Sequence, residues 1–382
     1  MSVLERPTPF LEDFAPEDLA LEDLGALTVE DVASFRPSGV ELRRATRRLR
    51  GKAVVIAALV LGSYVGLVFV ASGPLLALPL AAILVVALIA TATSVMHDAN
   101  HGAFGRSRSL NQTLAYSADV LGASSWLWRH KHNLLHHGNT NVVGIDTDIE
   151  QMPFARLAPG QPWRPWYRYQ YIYIWALYGF LTIQWMLLSD VACLITRRIG
   201  SQPMRRQPRR RDVALLFAGK VLHVGWAIAL PFAFHRWWTV LAFYFACSWL
   251  VGFVLAVFFQ LAHAVDTTEF ALPSTPRRGD DFAAHQLHTT ANVSCRTPVI
   301  GRPTAWLMGG LQHQIEHHLA PGLPHTSYPA MADRVHRVCS DRAVEYHVHP
   351  NIWAALRSHT RWLRAMGRPA NSEEHRRARI GG

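Results

Sequence analysis

The stretch Val95-Met96-His97-Asp98-Ala99-Asn100-His101 decides the fold, because it begins where an apolar run long enough to cross a bilayer ends. On a helix, residues four apart share a face, so the rings of His97 and His101 can point at one centre. Imidazole nitrogen is a ligand for iron, zinc and copper. The stretch therefore predicts a metal-binding helix end at a membrane face.

Two further histidine-rich stretches repeat this spacing. They are His132-Asn133-Leu134-Leu135-His136-His137 and Gln312-His313-Gln314-Ile315-Glu316-His317-His318. The windows 97–101, 130–137 and 313–318 together hold 9 of the 20 histidines, far more than an even distribution would place there. Three separate groups that each keep helical spacing indicate one multi-histidine site and not scattered surface residues.

The composition is typical of a membrane protein. Half of the residues are apolar and only 17% are charged, below the usual share of about a quarter, and the mean hydropathy is +0.09. The net charge of +11 comes from arginines that bracket apolar runs, so we attribute it to topology and anionic lipid and expect no nucleic-acid partner. The acidic, polar start lacks the apolar core of a signal peptide, so we expect no cleavable one.

Four apolar runs predict an all-α integral membrane protein whose transmembrane helices form two hairpins. The predicted spans are 53–71, 75–96, 213–234 and 237–261, each close to the length that a bilayer requires. A basic collar precedes each hairpin: Arg43, Arg44, Arg47, Arg48, Arg50 and Lys52 before the first, and Arg197, Arg198, Arg205, Arg206, Arg209, Arg210 and Arg211 before the second. Because basic residues favour the cytosolic side, both collars and all three histidine groups are predicted there.

The segment 170–195 is also apolar and aromatic, and two placements are open to it. If it crossed the bilayer, the second collar would face outward and the third histidine group would lie opposite the other two. We therefore predict that it does not cross, and that it lies in the membrane interface or re-enters the bilayer. The predicted organisation is a peripheral segment at 1–42, a membrane domain at 43–350 and a basic tail at 351–382.

The number of histidines predicts two metals. A single catalytic zinc takes three protein ligands and a water, which seven clustered histidines exceed. His263 is a plausible eighth ligand because it follows the fourth apolar run as His97 follows the second, although it could also be a helix-end cap. Gln314 stands where another histidine would fit, and its oxygen could bind the metal directly, through water, or not at all. The candidate ligands are His97, His101, His132, His136, His137, His263, Gln314, His317 and His318.

Polar neighbours of the ligands are candidates for holding the ring N–H groups that face away from the metals. We assign Asp98, Asn292 and Glu316 to this role, with ordinary surface polarity as the alternative. The acidic run of Asp146, Asp148 and Glu150 is as consistent with a helix start or a solvated loop. His130 and His313 are expected to accompany their groups without binding metal. We interpret the remaining single histidines, such as His325 and His359, as ordinary polar residues.

The three histidine groups resemble the histidine boxes of integral-membrane fatty acyl desaturases. The glutamine in Gln314-Ile315-Glu316-His317-His318, preceded by Gly309-Gly310-Leu311, is similar to the third box of the front-end branch, which desaturates between an existing double bond and the carboxyl end. Gln260-Leu261-Ala262-His263 resembles the region from which the family draws a further iron ligand. The resemblance covers roughly residues 50 to 350.

The resemblance implies four transmembrane helices under a cytosolic helical cap that carries a histidine-bound di-iron centre. It further implies O2 as co-substrate and a buried tunnel for an acyl chain carried by coenzyme A or a lipid. It also implies two electrons from a separate donor, a ferredoxin or a flavin-dependent reductase, because this sequence has no His-Pro-Gly-Gly haem signature. One departure is the second box, which has three residues between its first two histidines where eukaryotic front-end enzymes usually have two. Two alternatives stay open: hydroxylation of a lipid or terpenoid on the same scaffold, and a zinc-dependent membrane hydrolase or receptor.

Overall fold

The structure is a computed structural model that describes residues 27–273, 282–297 and 299–369, and these residues are mostly helical. The α-helices in this part of the chain are α1 Val29–Ser34, α2 Gly39–Val65, α3 Pro74–Ala90, α4 His97–Asn100, α5 Arg108–Ala115, α6 Ser117–Val120, α7 Ser125–Trp128, α8 Gln170–Tyr178, α9 Leu181–Gln184, α10 Asp190–Thr196, α11 Arg210–Val224, α12 Leu230–Phe232, α13 Trp237–His263, α14 Phe282–Thr289, α15 Gly301–Met308, α16 Gln314–Leu319, α17 Tyr328–Asp341 and α18 Ile352–Met366.

Shorter elements join these helices. The π-helical segments are Gly66–Val70, Thr91–Met96, Arg129–His136, Trp185–Ser189 and Gly225–Ala229, and the 3-10 segments are Pro165–Tyr169 and His325–Ser327. Strand β1 (Arg198–Ile199) pairs antiparallel with β2 (Gln202–Pro203), and β3 (Asn292–Val293) pairs parallel with β4 (Val348–His349). The predicted all-α class is confirmed.

Four helices are long and apolar enough to cross a membrane: Gly39–Val70, Pro74–Asn100, Arg210–Phe232 and Trp237–His263. The four predicted spans and their two-hairpin order are confirmed as four candidate membrane helices, and a bent helix pair at 165–196 would make a fifth if it crossed. The first helix begins well before its apolar run because Ser38 and Glu41 form a capping box ahead of the arginines, which are good helix formers. The second and fourth helices continue past their apolar runs as far as Asn100 and His263.

The two hairpins are tied together at the end that carries their turns. Nε2 of His235, in the second turn, donates to the carbonyl oxygen of Val68 (2.8 Å). The hydroxyl of Tyr64 donates to the carbonyl oxygen of Trp226, and the two rings meet edge to face. These contacts hold the first hairpin against the second away from the histidines.

The segment predicted to lie in the interface is not one straight helix. Pro165–Tyr178 and Leu181–Thr196 meet at a bend of 71°. Gly252 of α13 packs against this bend, where a Cβ would lie 2.5 Å from the carbonyl oxygen of Gly179. The placement of this bent pair at the membrane interface stays a prediction.

The remaining helices cover the end of the bundle that carries the histidines. Helix α17 packs with α16 and α14, and their core includes Phe35 from the segment after α1. Helix α18, within the predicted C-terminal tail, buries Ala355 and Leu363 against α8 and α13. Residues 1–26 and 370–382, which hold most of the predicted peripheral segment and the end of the tail, lie outside the described residues.

Candidate metal centre

The first histidine group is positioned by a π-helical turn at the end of the second span. After Thr91–Met96, α4 begins at His97, and the side chains of His97 and His101 are buried. The hydroxyl of Thr93 donates to the carbonyl oxygen of Leu307 (2.8 Å), which ties this turn to the chain that precedes the third group. Gly309 in that chain has φ +60°, and a Cβ there would lie 2.6 Å from the carbonyl oxygen of Thr93. Glycine thus allows the first and third groups to approach each other.

The second group lies on a π-helix, Arg129–His136. The amide of His137 donates to the carbonyl oxygen of His132 (3.0 Å), five residues back. In a π-helix the residues four and five positions on both flank the first, so His136 and His137 share a face with His132. The extra residue in this box, a departure from the usual spacing, is absorbed by the wider helical turn.

The third group lies on α16 and is held from outside the cluster. Oδ1 of Asn292 accepts from the amide of Ile315 (3.0 Å), and its Nδ2 donates to Glu316 (2.8 Å). The hydroxyl of Tyr346 also donates to Glu316 (2.7 Å), and burial raises the pKa of this carboxyl to about 7 against these hydrogen bonds. Asn292 and Glu316 therefore orient helix α16. The sequence predicts that each of them holds the ring of a metal ligand, but their hydrogen bonds go instead to each other, to the amide of Ile315 and to Tyr346. Glu316 lies 3.7 Å from His313, outside the cluster.

The structure brings the histidines of all three groups together with His263. Their ring nitrogens form three sets, each with its members within 4.8 Å of one another: His97, His101, His132 and His317; His136, His263 and His318; and His137, His317 and His318. The rings of His137 and His318 lie 4.2 Å apart, although they come from groups about 180 residues apart in sequence. The third set links the other two, because His137 lies beside His317 of the first set and His318 of the second. Two linked sets of this kind have the form of a two-metal site. His130 and His313 belong to none of these sets among the described residues.

Several ring nitrogens on the outer side of the cluster have polar partners. Nδ1 of His97 contacts Asp98 (3.4 Å), the one predicted partner that reaches a candidate ligand. Nδ1 of His136 donates to the carboxylate of Asp146 (3.0 Å), and Nδ1 of His317 lies 3.2 Å from the hydroxyl of Tyr328. Because each contact occupies Nδ1, the opposite nitrogen is free to face the cluster.

His318 has two such partners: its Nδ1 lies 2.8 Å from Oε1 of Gln286 and 3.1 Å from the hydroxyl of Thr140. The sequence did not predict Gln286, Thr140 or Tyr328 as partners of the ligands, nor the role of Asp146. Only Asp146 had a signal in the sequence, as an acidic run close behind the second box.

The inner nitrogens fit metal ions. Nε2 of His97, His101, His317 and His318 is buried and without a hydrogen-bond partner among the described residues. Nδ1 of His137 and of His263, and Oε1 of Gln314 and of Gln260, are buried in the same way. A buried polar atom without a partner costs about 1–3 kcal/mol, so a cluster of them is unfavourable unless something binds. Lone pairs of imidazole and amide are suitable donors to iron.

The electrostatics keep most of the rings neutral. Burial, together with the neighbouring rings, holds the pKa of His101, His137, His317 and His318 well below the ordinary value. Burial also lowers the pKa of His132 to about 3. His136 is the exception: burial opposes protonation, but the carboxylates of Asp146 and Asp148 hold its pKa above the usual range. Neutral imidazole is the form that binds a metal ion.

A cavity of about 410 Å³ lies between the four spans. At one end it is lined by Ala92 and Met96, the residue before His97, and at the other by Pro74. At 1.5 Å per residue, this length of helix spans roughly 30 Å. The space is therefore long and mostly apolar, and it begins beside the histidine cluster.

The family model for fatty acid desaturases matches residues 72–350, a range that contains every candidate ligand. The chain belongs to the fatty acid desaturase family. This desaturase is 35% identical over 291 residues to the sn-1 linoleoyl-lipid 6-desaturase of Synechocystis sp., a match that covers 75% of this chain and 79% of that protein. It is 32% identical over 276 residues to the sn-1 linoleoyl-lipid 6-desaturase of Arthrospira platensis, covering 72% and 73%.

A third relative is the acyl-lipid (8-3)-desaturase of Physcomitrium patens, 37% identical over 279 residues. That match covers 72% of this chain but 57% of the moss protein, so the chain spans little more than half of that relative's length. This desaturase is therefore an integral membrane oxidoreductase that acts on fatty acyl lipids. The resemblance inferred from the three boxes is confirmed.

Proposed function

We propose that this protein is a di-iron desaturase that introduces a double bond into a long-chain acyl group carried by a membrane lipid, on the carboxyl side of an existing double bond. Lipid is preferred to coenzyme A as carrier because the relatives above are named for acyl-lipid or linoleoyl-lipid substrates. The glutamine at the start of the third box supports the position of the new bond. The single observation that carries the proposal is the packing of histidines from all three boxes and His263 into two joined sets.

The proposed metal ligands are the predicted ones: His97, His101, His132, His136, His137, His263, Gln314, His317 and His318. Two irons, when bound, supply the oxidant that an unactivated C–H bond requires, which zinc cannot do because it has no redox chemistry. The overall reaction converts –CH2–CH2–, O2, two electrons and two protons into –CH=CH– and two water molecules. The residues of this chain hold the metals, exclude water and place the acyl chain.

The intramembrane cavity is the proposed place for the part of the acyl chain beyond the reacting carbons. Its apolar lining suits methylene groups, and its end at Met96, the residue before His97, would bring the chain to the histidine cluster. Such placement decides between desaturation and hydroxylation, because a shift of about 1 Å relative to the oxidant changes which bond reacts.

The electron donor is proposed to be a separate ferredoxin or flavin-dependent reductase that meets the protein on the cytosolic face, where the basic collars are predicted. Exposed arginines of the second collar, such as Arg205 and Arg211, would attract an acidic partner at low ionic strength. Reduction rates that fall steeply with added salt would support this face.

The test is expression in a host supplied with a reductase, followed by fatty-acid profiling with localisation of the double bond. We expect lipids two mass units lighter than the substrate in cells with the wild-type protein. His136→Ala and His317→Ala should form no product while the protein still inserts into the membrane. A gain of sixteen mass units would indicate hydroxylation, and product from either variant would contradict the assignment of that histidine.

Elemental analysis of the purified protein tests the metal independently of activity. We expect two irons per chain. Zinc without iron would favour a hydrolase or receptor and would overturn the proposed reaction.

A further inference from the structure

A chain of polar contacts leads from α2 to the first-box histidine His97. Nζ of Lys52 lies 3.2 Å from Nε2 of His325, and Nδ1 of His325 lies 2.8 Å from the carboxylate of Asp98. The same carboxylate contacts Nδ1 of His97 at 3.4 Å and accepts from the backbone amide of His325 at 3.1 Å. Asp98 and His325 are buried. Residues from three distant parts of the sequence thus meet behind one candidate ligand.

Lys52 and the carboxylate of Asp98 together set the direction of the hydrogen bonds in this chain of contacts. An ammonium group can only donate, so Nε2 of His325 must accept, and its proton must lie on Nδ1. An ionised carboxylate can only accept, so Asp98 accepts from Nδ1 of both His325 and His97. The lone pair of His97 is then on Nε2, which is buried and has no hydrogen-bond partner among the described residues.

Lys52 and His325 are each kept in the state that this series of hydrogen bonds requires. Lys52 also donates to the carbonyl oxygen of Trp306 (2.6 Å) and lies 5.0 Å from the centre of the Trp306 ring. Burial lowers the pKa of His325 against the attraction of Asp98, which keeps the ring neutral and able to accept. Lys52, counted above among the collar residues that set topology, is therefore directed inward.

Without Lys52, only the carboxylate of Asp98 would disfavour the second neutral tautomer of His325. In the tautomer with its proton on Nε2, a bare Nδ1 would face the carboxylate of Asp98 and repel it. Asp98 would then lose one of its donors, and its hold on His97 would weaken. A donor at position 52 removes this second arrangement.

We propose that Lys52 and His325 are positioning residues that act through Asp98 to keep His97 in the one tautomer and orientation that can bind a metal ion. This inference rests on the metal centre proposed above. Neither residue belongs to the histidine sets of the candidate metal centre or lines the cavity.

The test measures how tightly Fe(II) is held, by competition with a soluble chelator on purified full-length protein. Lys52→Met keeps the length of the side chain without its charge, and His325→Ala removes the ring. For both we expect the chelator concentration that removes half of the iron to fall about tenfold. Their Co(II)-loaded forms should also show a shifted visible spectrum, since one ligand is misoriented. His325→Asn, whose amide can donate to Asp98 from the position of Nδ1, should hold iron within about threefold of the wild type.

Lys220→Met is the matched control. Lys220 is likewise a half-buried lysine on an apolar helix, but it donates to the carbonyl oxygen of Met186 (2.6 Å) and to Asp190 (3.1 Å). Among the described residues, no hydrogen bond joins it to a histidine of the cluster. Its loss should lower the Tm of the metal-free protein, because Asp190 is left buried without its cation, and should leave iron affinity at the wild-type level.

Wild-type iron affinity and Co(II) spectrum in both Lys52→Met and His325→Ala would overturn this inference alone. So would a His325→Asn protein that holds iron no better than His325→Ala. Wild-type protein that binds no iron would overturn the metal centre itself, and this inference with it.

Discussion

The carboxylate of Asp146 lies 3.0 Å from Nδ1 of His136, and both side chains are almost completely buried. Asp146 also accepts from the amides of Asn141 and Asp148 (2.9 Å each), and these two hydrogen bonds fix the orientation of its carboxylate independently of His136. The turn after the second box thus supplies, through Asp146, a hydrogen-bond acceptor that orients the candidate ligand His136.

Asp146→Asn is expected to weaken iron binding and to lower the rate of desaturation, each by about tenfold to a hundredfold. The amide keeps the shape of the carboxylate, but it removes the charge that favours the Nδ1–H form of His136. Iron content and product formation measure the effect. Asp333→Asn is the control, because Asp333 is exposed and pairs only loosely with Arg296 (3.9 Å). Equal iron affinity in the two variants would contradict the role of Asp146.

Gly309→Ala is expected to reduce both iron content and activity strongly. Its φ of +60° disfavours a side chain, and the new Cβ would lie 2.6 Å from the carbonyl oxygen of Thr93, so the third box would be pushed away from the first. Gly62→Ala is the control, because a Cβ there meets no atom within 4 Å. The measurement is iron per folded protein for each variant, and wild-type iron content in Gly309→Ala would show that this approach is not required.

Ala77→Trp is expected to shorten the acyl chains that the enzyme accepts. Ala77 lines the cavity far from the histidines, and a bulky ring there would remove space for the end of a long chain while leaving iron content unchanged. Competition between long and short acyl substrates should shift toward the short one by at least about tenfold. Ala82→Trp, at an exposed position on the same helix, should leave this preference unaltered. An unchanged preference in Ala77→Trp would mean that the chain lies elsewhere.

Acidification is expected to destabilise the packing of α18. Nδ1 of His359 donates to the carbonyl oxygen of Ala264 (2.6 Å), and its Nε2 accepts from the hydroxyl of Tyr178 (2.7 Å). Burial lowers the pKa of His359 to about 4, although the hydrogen bond to Ala264 opposes this shift.

Because the unfolded chain takes up this proton near pH 6.5 and the folded protein near pH 4, stability should fall across that window as the pH is lowered. The loss is at most about 1.4 kcal/mol per pH unit. Tm measured at pH 7 and pH 5 should differ more in the wild type than in His359→Gln. The same difference in both proteins would exclude His359 as the cause.

The sequence could predict the number of spans, their pairing into hairpins and most candidate ligands. Each of these features depends on the pattern of residues within a short segment. An apolar run of bilayer length has few alternatives to a membrane helix. Histidines four residues apart, such as His97 and His101, share a face on any α-helix. The family resemblance rested on the same local groups.

What holds those ligands could not be predicted, because it depends on contacts between residues far apart in the chain. Lys52 looked like one more residue of a basic collar, and His325 like an isolated polar histidine; only the tertiary structure places both behind Asp98. Gln286 and Thr140 carry no pattern at all, yet they meet at Nδ1 of His318.

The sequence by itself determined that three histidine groups lie outside the apolar runs of a helical membrane protein, since hydrophobic length and helical period are properties of short segments. Tertiary structure alone decided that the second box widens into a π-helix, so that His132, His136 and His137 share one face. It also decided which nitrogen of each ring faces inward, because a tautomer is chosen by a hydrogen-bond partner, and those partners reach the rings only when the chain is folded.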